Sequence, residues 1–89
     1  MKDVAKFEEV VQQAKQQIDL LLGDNGVPKN VKSALDEAEK LLLDKSQSYT
    51  VRASSAIYKI DEVSNDVNLA PYARTVIWNL LSRLESIKE

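Results

Sequence analysis

The chain of 89 residues has no cysteine and no histidine. Without cysteine there is no disulfide framework, no thiol nucleophile and no thiolate metal site, and a reducing cytoplasm suits such a chain best. Without histidine it lacks the side chain most used for proton transfer near neutral pH and the commonest transition-metal ligand. Two glycines and two prolines are too few for the closely spaced turns of an all-β fold. No apolar run exceeds three residues, so neither a signal peptide nor a membrane span is expected. Charge of one sign is missing too: fourteen acidic side chains face twelve basic ones, net −2, which leaves no broad basic field for phosphate-driven binding.

What remains is an ordinary globular composition, 44% hydrophobic and 29% charged. A chain of this size buries roughly 60–65% of its unfolded surface, enough for one core, so residues 1–89 are read as a single domain. Its apolar residues recur at spacings of three and four. Val4, Phe7, Val11, Ala14, Ile18 and Leu21 make the first stripe, over about residues 3–22, with Gly23 as a left-handed stop. Asn25-Gly26 reads as an inter-helix turn, because both flanks have helical period. Val31, Leu35, Ala38 and Leu42 mark a second helix over about 28–43, with Pro28 in its opening turn. Tyr49, Ala53, Ala56, Ile60 and Val63 mark a third over about 49–65, capped by Ser48. Ala73, Ile77, Leu80, Leu84 and Ile87 mark a fourth over about 71–88, opened by Pro71. Short connections force antiparallel neighbours, and the expected fold is all-α: an antiparallel four-helix bundle made of two helical hairpins.

One pattern recurs at the junctions. Asp24 precedes Val31-Lys32, Asp44 precedes Val51-Arg52 and Asp66 precedes Ala73-Arg74, always with eight residues from aspartate to cation. A cation early in a helix is disfavoured by the helix dipole, so each is expected to pair with its upstream aspartate and lock a corner. The arginine pairs should be firmer than the lysine pair because a guanidinium can grip a carboxylate with two bonds. A functional alternative is an anion-binding patch at the bundle end where Lys29, Lys32 and Arg74 meet two helix N-termini.

The strings Val51-Arg52-Ala53, Ile60-Asp61-Glu62-Val63-Ser64-Asn65-Asp66 and Ala73-Arg74-Thr75-Val76-Ile77-Trp78-Asn79, with the turn Val27-Pro28-Lys29-Asn30, resemble uncharacterised protein family 0147. The resemblance covers roughly residues 25–88. It departs at Val67 and Ala70, where the family pattern has prolines, and Pro71 falls one place late. It implies an all-helical, cytoplasmic archaeal protein without an assigned activity, and it supplies no catalytic residue.

The leading functional expectation is a structural or interaction module with a protein partner or weak self-association. At about 100° per residue, Trp78 lies roughly 140° from the centre of its helix's apolar stripe and Tyr58 roughly 160° from that of its own. With Leu81 beside Trp78, these rings would form an apolar patch outside the core. The competing reading lays Trp78 flat on a neighbouring helix with Arg74 stacked on it. A nucleic-acid- or ribosome-associated role is the alternative, disfavoured by the charge balance. An enzyme is not expected, and no cofactor or metal is implied: the carboxylates of Asp61-Glu62 and of Glu8-Glu9 diverge by about 100°, and the seam is aliphatic.

Overall fold

A computed structural model describes residues 4–88. Four helices follow in order: α1 (Val4–Leu22), α2 (Lys29–Leu42), α3 (Tyr49–Asp61) and α4 (Pro71–Glu85), with no strand among the described residues. Each packs against the next and α4 returns to α1, so the antiparallel helices close into a ring around one core, within an envelope of 42 × 21 × 19 Å. The core is the set of stripes read from the periodicity. Val11, Ala14 and Ile18 meet Val31, Leu35, Ala38 and Leu42, and across from them lie Ala53, Ala56, Ile60, Ala73, Ile77, Leu80 and Leu84, all buried.

The α2–α3 contact is the most extensive of the four. Ala34 and Ala38 on one helix and Ala53 and Ala56 on the other are buried, and small side chains let the backbones approach closely. Lys59 of α3 spans the seam to Glu37 of α2 at 2.9 Å.

The three junctions are built alike. The N–H of Asp24, Asp44 and Asp66 donates to the carbonyl three residues back, and the aspartate carbonyl accepts from the N–H three residues ahead. Each carboxylate accepts from the N–H two residues ahead, on Gly26 at 2.8 Å, Ser46 at 3.0 Å and Asn68 at 2.8 Å. This is an Asx turn, which suits a short acceptor side chain at a chain reversal. The residue four places on, Pro28, Ser48 or Ala70, is the extended N-cap residue of the next helix. The cation eight places on is the residue whose N–H reaches back to that N-cap carbonyl, at 2.9–3.0 Å in all three junctions. The eight-residue spacing is therefore a turn frame followed by one helical turn. Ala70 takes the place that Pro28 takes in the first junction, so the third keeps the frame despite its departure from the family's prolines.

Three expectations are corrected. Gly23 does not stop α1 in a left-handed conformation, for no described glycine has positive φ; its N–H bonds Asp19 O at 3.1 Å. The helix α3 ends at Asp61 rather than near residue 65, because the chain tightens into three-residue turns in which Ser64 is buried and its hydroxyl donates to Asp61 O at 3.1 Å. Val4, placed on the first stripe, is exposed, and Val10 fills the seam instead. The proposed start of the first helix at residue 3 lies outside the described residues.

Candidate functional site

Trp78 is 55% exposed and Tyr58 is 70% exposed, as their helical phases require. They stand on different seams. Tyr58 borders the α2–α3 seam, where it lines an open depression of about 420 Å³ with Leu41, Ser54, Ser55 and Lys59. Trp78 shares a face of α4 with Leu81 and Glu85, at spacings of three and four. Glu85 is itself a wall of the α3–α4 groove, opposite Thr50, Ser54 and Ile57. Leu81 is half-buried and packs on the core, so it anchors this face more than it adds to the exposed patch. The cation–π contact does not involve Arg74 and Trp78; the guanidinium over a ring is that of Arg52, 4.6 Å from the centroid of Tyr49.

The expected corner ion pairs do not form. Arg52 is buried, 4% exposed, and its Nε donates to Leu42 O at 2.8 Å rather than to Asp44. Arg74 Nη2 donates to the backbone carbonyl of Asp66 at 3.1 Å, not to its carboxylate. Lys32 makes no ion pair with Asp24. The physical reason is competition: each carboxylate is already taken by the Asx turn and by a further donor. For Asp24 that donor is the Tyr72 hydroxyl, for Asp44 the Ser46 hydroxyl at 2.6 Å, and for Asp66 the Asn30 side-chain amide at 2.7 Å. These side-chain donors are the main reason that all three carboxyl groups titrate below the usual range, followed by the turn N–H, with the cation contributing least. The two arginines find better partners in carbonyls at the end of the preceding helix and in the junction, where excess negative potential favours a cation.

Tyr72–Asp24 and Asn30–Asp66 tie together the two junctions that lie at the same end of the bundle. Lys29, Lys32 and Arg74 thus share that end with the carboxylates of Asp24 and Asp66, which offset part of the positive charge from which the anion patch was read. A Cβ on Gly26 would be crowded there, 3.0 Å from the Tyr72 hydroxyl oxygen and 3.2 Å from the Asp24 carboxylate, so those side chains would have to give way by a few tenths of an ångström. No group of three potential metal ligands is found among the described residues, and none of their helices is long and apolar enough to cross a membrane.

Comparison with known proteins decides the family. Residues 1–87 match the model of the uncharacterised protein family UPF0147. The chain belongs to the UPF0147 family. A UPF0147 protein of Methanothermobacter thermautotrophicus is 45% identical over 69 residues, covering 78% of this chain and 68% of that protein. One from Pyrococcus abyssi is 35% identical over 89 residues, covering 99% and 100%. The crystal structure of the unknown-function protein MMP1188 is similar with a TM-score of 0.83 and 30% identity, covering 100% of this chain and 97% of the other.

Two polar clusters of this UPF0147 chain escaped the periodicity because their members lie on different helices. Between α1 and α2, Lys15 bonds Asp19 at 2.8 Å while Glu39 approaches Asp19 from α2 with one carboxyl oxygen buried and unpartnered. Burial, then the hydrogen bond and charge of Asp19, push the Glu39 carboxyl up to about 7. Between α1 and α4, Arg83 donates from Nε to Gln17 at 3.1 Å and from Nη1 to Gln13 at 2.6 Å. The one available signal was the run of glutamines in the first helix, spaced by four, facing an arginine that had no carboxylate of its own.

Proposed function

We propose that this UPF0147 protein is a non-enzymatic interaction module that docks a protein, either a partner or a second copy of itself, through the outer faces of α3 and α4. The observation that carries the reading is the exposure of Trp78 on a helix whose core stripe is complete without it. A large ring left in water beside the partly buried Leu81 is the kind of anchor that dominates protein interfaces. Tyr58 and Leu41 supply further exposed apolar surface on the neighbouring seam. The net charge of −2 gives no support to a nucleic-acid-bound or ribosome-bound role.

Sedimentation of wild type and Trp78→Ala across a concentration series tests self-association, and capture from the native lysate with the same two proteins tests the partner version. Wild type should associate or retain a partner that Trp78→Ala loses, with a drop in binding of ~2 kcal/mol or more. If both proteins are monomeric and both recover the same set of proteins, the reading fails.

A further inference from the structure

Arg83 is held in place by two neutral side chains of α1. Its guanidinium is half-buried in the α1–α4 seam and is fixed from two sides by the side-chain carbonyls of Gln13 and Gln17. Both partners are neutral, so neither offsets the charge, and among the described residues no carboxylate lies within ion-pair distance of Arg83. An arginine offers five N–H donors, and two are used. Arg83 lines a depression of about 320 Å³ together with Val10, Asn79, Ser82 and Ser86. The Ser86 hydroxyl is turned back to donate to the Arg83 carbonyl at 2.6 Å. The Asn79 amide and the Ser82 hydroxyl make no hydrogen bond to other described residues; Asn79, four residues before Arg83, lies next to it on α4, and Ser82 lines the same depression about 100° away around the helix.

A surface arginine usually gains from a mobile, solvated side chain. Here two bonds have removed that freedom in advance, while the charge and three N–H groups are left for something else. Fixed forks of this kind suit planar or tetrahedral oxygen anions, which accept two parallel N–H bonds, and the amide and hydroxyl at the rim add neutral donors without adding bulk. We infer that the α1–α4 seam contains a binding site for an oxyanion head group, phosphate or carboxylate, with Arg83 as its charged donor and Asn79 and Ser82 as neutral ones. The site is on a different seam from the Tyr58 surface, and its charged donor, Arg83, lies about 140° around α4 from Trp78.

The test is a titration of the 15N-labelled protein with inorganic phosphate, and separately with acetate, at ionic strength held constant with chloride. The signals to follow are Arg83 Nε–H and the Asn79 side-chain amide. At least one anion should move both signals along a saturable curve, and which one does so distinguishes a phosphate from a carboxylate ligand. Arg83→Gln should weaken that binding at least about tenfold, and Arg83→Lys, which keeps the charge but not the fork, should weaken it by a smaller factor. Asn79→Leu alters only the exposed rim; it should also weaken binding, and it reads the site even if Arg83→Gln does not fold. Shifts that stay linear, that spread equally to Lys29 and Lys32, or that persist unchanged in the variants that fold overturn the inference.

Discussion

Replacing Glu39 with glutamine should remove a pH dependence of stability that wild type shows between pH 5 and 8. Glu39 is partly buried on α2, faces Asp19 and Lys15 of α1 and has Asp36 on its own helix; burial and the Asp19 carboxylate outweigh the pull of Lys15. Its proton is held up to about pH 7, against an ordinary value of 4.5. Below 4.5 the folded and unfolded chains both carry the proton, and nothing changes. Between 4.5 and about 7 the folded chain holds a proton that the unfolded chain has lost, so stability falls as pH rises through that window and levels off above it. Asp19 acts in the opposite sense and elsewhere: Glu39 and Lys15 hold its carboxyl below 3.8, so its contribution disappears only in stronger acid. At ~1.4 kcal/mol per pH unit the Glu39 rise has a ceiling of ~3.5 kcal/mol. Partial exposure lowers this to ~1–2 kcal/mol. Urea denaturation of wild type and Glu39→Gln at pH 5 and pH 8 measures it cleanly, because the chain has no histidine to titrate in the same range. Wild type should lose ~1–2 kcal/mol more than the variant between the two pH values. Parallel loss in both, or a wild type that gains stability with rising pH, would refute the account of Glu39.

Leu80→Ala should cost ~2–5 kcal/mol in chemical denaturation, since Leu80 is fully buried between α4 and its neighbours and the site cannot collapse completely. Arg52→Ala should destabilise by ~2–4 kcal/mol, because it strips the Leu42 carbonyl of a charged donor and the Tyr49 ring of its cover, and it should exceed Lys32→Ala in the same assay. Arg74→Ala should likewise exceed Lys32→Ala, as Arg74 bonds the junction backbone and Lys32 does not. Gly26→Ala should lower the melting temperature of wild type but lower it less in a Tyr72→Phe background, where the hydroxyl that the new methyl would strike is gone; equal losses in both backgrounds would show that Tyr72 is not what limits the space.

Helix number, order and inward faces could be read from spacing because each depends on one helix at a time. A stripe such as Ala73, Ile77, Leu80 and Leu84 can bury itself only by facing a neighbour, whichever neighbour that is. The same reasoning exposed Trp78 and Tyr58. It also found the recurring aspartate and cation, since turn frame and helix start are local. It failed on what those charges touch. Opposite charges eight residues apart suggest attraction, but a carboxylate has few acceptor positions, and Gly26, Ser46, Asn68, Tyr72 and Asn30 had filled them. Which donors reach Asp24 and Asp66 is settled by two junctions meeting at one end of the bundle, across separations of 48 and 36 residues. Glu39 beside Asp19, and Arg83 between Gln13 and Gln17, belong to the same class. Local periodicity and turn chemistry in this sequence determine a four-helix fold and its core, because both act over a few residues. Polar partnership was decided only by tertiary structure, because a hydrogen bond depends on atoms arriving within about 3 Å, and pattern along the chain carries no such distance between helices.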